Sequence, residues 1–92
     1  MNFLQREVDV GPDDAVEVTL DGQANVMLLD TENFDRYRRG ESFCYHGGLV
    51  KTSPVRLLPP HGGHWHLVVD LGGFPGHVRA GVRVLQGADV AR

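Results

Sequence analysis

The chain contains a single cysteine, Cys44. One thiol rules out an intramolecular disulfide, a cysteine-based zinc finger and a CxxC redox centre. Long apolar runs are missing as well, and the N-terminal MNFLQREVDV meets charge at Arg6. That excludes a membrane span and a secretory signal, and makes a cytoplasmic location the expectation. Positive charge is not in excess: the formal net charge is −3 and the pI is about 5.9, which argues against general nucleic-acid binding because DNA affinity rests largely on Lys and Arg at phosphates. The glycine pairs Gly47-Gly48, Gly62-Gly63 and Gly72-Gly73 lack the strand-turn-helix setting of a nucleophile elbow, P-loop or dinucleotide fingerprint, and read as turns. Repeats, linkers and low-complexity segments are also lacking.

What is present is the composition of a soluble globular domain, 41% hydrophobic and 23% charged over 92 residues. That length predicts one domain, spanning residues 1–92, with a modest core. Charge is unevenly spread. Residues 1–41 hold ten acids and four bases, net −6, and residues 42–92 hold two acids and five bases, net +3, which together give −3. Pairing between neighbouring strands accounts for the asymmetry most simply, and two-fold or head-to-tail self-association is the alternative, so a homodimer is among the partners to consider.

Period-two alternation marks three strands. In AVEVTL, Val16, Val18 and Leu20 share one face, with Ala15, Glu17 and Thr19 on the other. Asp21-Gly22 then suits a tight turn, and ANVMLLD is expected to return as the second strand of a hairpin. In HWHLVVDL, Trp65, Leu67, Val69 and Leu71 oppose His64, His66, Val68 and Asp70; in HVRAGVRVL, Val78, Ala80, Val82 and Val84 oppose His77, Arg79 and Arg83. These two are expected to pair antiparallel across the GGFPG loop, which would gather His64, His66 and Asp70 with Arg79 and Arg83. Between the hairpins, DTENFDRYRRG reads as one short helix near residues 31–39, with Asp30 or Thr31 as N-cap and Gly40 as stop. SFCYHGG reads as a strand ended by its glycines, and SPVRLLPP as an edge strand bracketed by prolines. About seven short strands with turn signals between them predict an all-β fold, a compact antiparallel β-sandwich.

His64 and His66, two apart on a strand, project from one face, as the first two ligands of many β-sheet metal sites do. Asp70 shares their parity but lies four residues beyond His66, about 13 Å along a straight strand at about 3.3 Å per residue. The spacing is superficially similar to the first cupin motif, yet LVV keeps the interval extended and no second motif follows. A third ligand would have to be His46, His61 or His77. The strand reading is therefore preferred and no cofactor is expected; a small cupin-like metalloprotein using His64 and His66 is the alternative. Cys44 and His46 share a face, but Cys44 between Phe43 and Tyr45 reads as a small buried apolar residue rather than a nucleophile. The arginines of RYRRG read as charge at a helix C-terminus, with Asp35 and Glu41 beside them.

The elements NV.LLD..NF..YR.G, YHGG, SPVRL and GHWHLVVDLGG, spread from about Val16 to Leu85, resemble the small bacterial family DUF1883, whose function is unknown. The resemblance implies a β-sandwich, and a module that in some relatives accompanies signalling domains of the Toll/interleukin-receptor type. Asp30, Asn33, Phe34, Tyr37, Gly40, Trp65, His66 and Asp70 match the family's pattern; Pro59-Pro60, His61, His77 and Cys44 depart from it. The functional expectation is a non-enzymatic module recognising a protein or small-molecule ligand, with Asp30, Asn33, Tyr37, His64, His66 and Arg79 as candidate binding residues.

Overall fold

The computed structural model describes residues 3–72 and 76–87. Among these residues, seven strands and one helix run in the order β1 (Phe3–Val10), β2 (Ala15–Leu20), β3 (Ala24–Leu29), α1 (Thr31–Arg39), β4 (His46–Val50), β5 (Val55–Leu57), β6 (Gly63–Asp70) and β7 (Ala80–Leu85). They form two antiparallel sheets, a four-stranded one ordered β1-β6-β3-β4 and a three-stranded one ordered β5-β2-β7. The result is the expected sandwich. Its core is aliphatic: Val16 and Val18 from one sheet meet Val26, Leu28, Leu67 and Val69 from the other, with Trp65 filling one end. Each such side chain, fully buried, contributes about 1.5–3 kcal/mol.

Two expected pairings are not formed. β2 and β3 do not make a hairpin, because the short Asp21–Gln23 connection carries the chain from one sheet to the other. The end of β2 is held elsewhere: the Asp21 amide donates to the Arg79 carbonyl at 3.2 Å, the Arg79 amide donates to Asp21 Oδ1 at 2.7 Å, and the Leu20 amide donates to Ser53 Oγ at 2.8 Å. β3 is apolar on both rows, Val26 and Leu28 inward, Met27 and Leu29 outward, and a strand buried on both faces belongs at the centre of a covered sheet.

The same logic separates β6 from β7. β6 is buried almost throughout and lies between β1 and β3, whereas β7 joins β2 across the sandwich. Residues 71–79 connect the sheets and are longer than a hairpin loop needs; the middle of GGFPG lies outside the described residues. Arg83, on β7, and Arg79, just before it, consequently lie with the opposite sheet from His64, His66 and Asp70.

β4 starts at His46 and runs through the glycine pair instead of ending there. A Cβ on Gly47 would strike the Val26 carbonyl, and Gly47 has φ 131°, so this edge strand needs glycine to lie against β3. Cys44 falls outside the strand and is exposed, which corrects its reading as a buried apolar residue. β5 is an edge strand of three residues, as its flanking prolines suggest. The first strand, β1, carries only Leu4, Val8 and Val10 against the core, with exposed Arg6 interrupting the inward row, and so escapes an alternation test.

Candidate functional site

The outer face of the four-stranded sheet is covered by α1. Asp30 caps the helix, accepting from the Asn33 amide at 2.8 Å and from its side-chain Nδ2 at 2.9 Å, and Asn33 Oδ1 in turn accepts from the Cys44 amide at 2.8 Å. At the other end Gly40 adopts φ 74°; its amide donates to the Tyr37 carbonyl and that of Glu41 to the Arg36 carbonyl, which is a Schellman closure. The arginines are engaged locally, Arg36 with Glu32, Arg38 with Asp35 and Arg39 with Glu41.

Phe34 and Tyr37, three apart, turn inward onto Met27, Leu29 and Val68, with Phe3 and Phe43 at the margin. Tyr37 donates to Asp70 Oδ2 at 2.6 Å, and Asp70 Oδ1 accepts from Asn25 Nδ2 at 3.1 Å and from the Gly72 amide at 2.9 Å. Burial, reinforced by the Asp70 carboxylate, pushes the Tyr37 phenol well above its ordinary range, so it stays a donor. His66 is 7% exposed and stacks on Phe34 with ring centroids 4.5 Å apart. Its Nδ1 hydrogen-bonds Gln5 Nε2 at 2.9 Å and its Nε2 hydrogen-bonds Thr31 Oγ1 at 3.1 Å, an arrangement suited to the Nε2–H tautomer. Burial lowers its pKa below the ordinary 6.5, favouring the neutral ring.

His64, two residues earlier on the same face, stands in solvent between two β1 carboxylates, with Asp9 Oδ1 at 2.7 Å from Nδ1 and Glu7 Oε1 at 2.9 Å from Nε2. Hydrogen bonds to Asp9 and then Glu7 raise its pKa above 6.5. One ligand atom from each of Glu7, His64 and His66 lies within 4.8 Å of the others. The histidines named as third ligands are elsewhere: His46 and His61 flank Trp65, on the opposite row of β6, and His77 is in the connection to β7.

The six candidate residues therefore do not converge. Tyr37 and His66 fasten α1 to its sheet, Asp30 caps the helix, Asn33 ties it to the segment before β4, His64 faces β1, and exposed Arg79 is anchored through its backbone to Asp21 on the far side. Sequence reading missed Gln5, Glu7 and Asp9, whose alternation in FLQREVDV was the signal, obscured by Arg6.

The outer face of the three-stranded sheet carries no helix among the described residues. Glu17, 7% exposed, accepts from Arg83 Nε at 2.8 Å on one side and from Arg56 Nε at 3.2 Å on the other, a row across all three strands set by the pairings Glu17–Arg56 and Glu17–Arg83. Arg83 first and Arg56 second hold the Glu17 carboxyl below the usual carboxylate range. Both arginine side chains remain largely exposed, at 56% and 70%, and their terminal nitrogens have no hydrogen-bond partner among the described residues. A shallow depression beside them is lined by Glu17, Thr19, Gly81, Val82 and Arg83. Glu17 and Arg83 were legible as outward-facing, but their juxtaposition depends on a pairing that alternation does not specify.

Two antiparallel sheets with α1 closing one of them define a small, mostly β sandwich protein. The chain belongs to the DUF1883 family, whose model, described as a domain of unknown function, matches residues 1–88. No curated protein and no solved structure matches it. Among the described residues, no helix is long and apolar enough to cross a membrane.

Proposed function

We propose that this chain is a non-enzymatic recognition module that docks an acidic segment of a partner protein on the open face of the three-stranded sheet. The observation that supports this reading is the Arg56–Glu17–Arg83 row. Each guanidinium spends its Nε on the Glu17 carboxylate, which fixes the two forks while their outer N–H groups stay exposed. The row carries two positive charges against one negative, and a guanidinium fork suits a carboxylate better than a lysine would. The depression beside Arg83, floored by Gly81 and edged by the Thr19 hydroxyl, offers a place for the partner's backbone or side chains. A cytoplasmic setting, expected from the short apolar runs, and an association with signalling domains, expected from the family resemblance, belong to the same reading.

The test is an amide chemical-shift titration with a glutamate-rich peptide, repeated with inorganic phosphate. Saturable shifts at Thr19, Gly81, Val82 and Arg83 are expected from the peptide, weakened by Arg56→Ala or Arg83→Ala and by added salt. Equal saturation by phosphate would replace the acidic segment with a small anion as ligand. Shifts confined to α1, or none, would overturn the proposal.

A further inference from the structure

We infer that Glu7, His64 and His66 form a binding site for a divalent transition-metal ion, with Zn²⁺ as the natural probe. This site lies on the opposite sheet from the arginine row and stands or falls independently of it.

Three features carry the inference. The ligand set is chemically apt: two imidazoles and one carboxylate are a known three-residue complement for zinc, leaving a position for water. The frame is fixed, because β1 and β6 pair in register with Glu7 opposite His66 and Asp9 opposite His64, so all four side chains emerge from one face of two hydrogen-bonded strands. Around a tetrahedral ion with bonds near 2.05 Å, ligand atoms stand about 3.3 Å apart. Glu7 Oε1 and His64 Nε2 are already 2.9 Å apart, and the whole set fits within 4.8 Å. Small side-chain rotations are enough to close it.

The surroundings add the third feature. A metal-bound histidine commonly gives its other nitrogen to a carboxylate or another oxygen, which orients the ring. Asp9 does this at Nδ1 of His64, leaving Nε2 turned toward Glu7, and Thr31 does it at Nε2 of His66, leaving Nδ1 on the β1 side. Stacking on Phe34 further fixes the His66 plane. The Gln5 amide now occupies Nδ1 of His66 and would be displaced by the ion. Asp9 is thus a positioning residue, and Glu7, His64 and His66 are the ligands.

Calorimetric titration of the full chain with Zn²⁺ tests this. One ion per chain is expected, with affinity reduced at least about tenfold by His64→Ala or Glu7→Gln and by about 10–100-fold in Asp9→Asn. The control variant His46→Ala/His61→Ala should bind as the unmodified chain does. Glu7, Asp9 and His64 are exposed, so their variants should keep the circular-dichroism spectrum of the unmodified chain. Histidine ring resonances give a separate readout, with those of His64 and His66 shifting on titration and those of His46 and His61 unmoved. No saturable uptake, uptake unchanged by His64→Ala, or uptake lost in the His46→Ala/His61→Ala control would overturn the inference.

Discussion

The two sheets of the sandwich turn very different faces outward. On the four-stranded sheet, α1 lies over Met27, Leu29 and Val68, and the polar residues around it are consumed in mutual hydrogen bonds: Tyr37 with Asp70, His66 with Thr31 and Gln5, Asp30 with Asn33. On the three-stranded sheet the ion pairs among the described residues lie along one row, and both of its arginine side chains are left exposed. Residue types that suggest chemistry in a sequence, a tyrosine, a histidine and an aspartate, are here the fastening of a helix. An arginine-glutamate-arginine row that reads as ordinary strand alternation keeps both of its arginine side chains exposed. Burial decides between these roles: a polar group removed from water must be satisfied internally, and it takes a new partner only by giving one up, as His66 would give up Gln5 to a metal ion.

The contrast can be broken most strongly at Tyr37. Replacing it with alanine empties the space between α1 and the sheet and leaves Asp70 short of a donor, and urea unfolding should show a loss of about 3–5 kcal/mol. Tyr37→Phe keeps the ring and removes only the hydroxyl, so the loss should be about 1–3 kcal/mol, the cost of an unsatisfied buried acceptor.

The neighbouring histidines sharpen the comparison through opposite responses to pH. His66 has a folded pKa below 6.5, so the unfolded state takes up a proton first; its contribution is present above 6.5 and is lost as pH falls through the folded value. His64 has a folded pKa above 6.5, so its contribution is complete below 6.5 and is lost as pH rises through the folded value. Thermal melts of His64→Ala should therefore show stability dropping on acidification below 6.5, while His66→Gln, from a lower baseline, should show stability rising as pH falls toward 6.5. If the two variants gave the same slope, the environments assigned to these residues would be mistaken. The smallest effect is expected on the open face, where Arg56→Ala alone should change stability by no more than about 0.5 kcal/mol because Arg83 still holds Glu17.

Much of the local structure is legible in the sequence for identifiable reasons. The helix is bracketed by a capping aspartate and a left-handed glycine, and its bounds, Thr31–Arg39, follow from those two residues. β2, β6 and β7 alternate because each lines one side of a core, and prolines confine β5 to an edge. Strand partners were not legible. Alternation says which face of a strand is wet, not which strand lies beside it, and the Asp21-Gly22 turn is as compatible with a step between sheets as with a hairpin. ANVMLL carries the clearer sign, being apolar at Val26 and Leu28 on one row and at Met27 and Leu29 on the other, the mark of a central strand under a helix, whereas the outer row of HWHLVVD is polar apart from Val68 although it is buried from His66 on. The site followed the topology: with β1 unrecognised, Glu7 and Asp9 could not be set beside His64, and with β7 assigned to the wrong sheet, Arg83 was grouped with histidines it never meets.

The central claim, that the polar residues beneath α1 hold the fold while the exposed arginines of the other face contribute little to it, is tested most directly by urea unfolding of Tyr37→Phe beside Arg83→Ala. A clearly lower midpoint for Tyr37→Phe is predicted, with Arg83→Ala lowered far less because Arg56 still holds Glu17. An unchanged midpoint for Tyr37→Phe, with a marked fall for Arg83→Ala, would contradict it by exchanging the roles of the two faces.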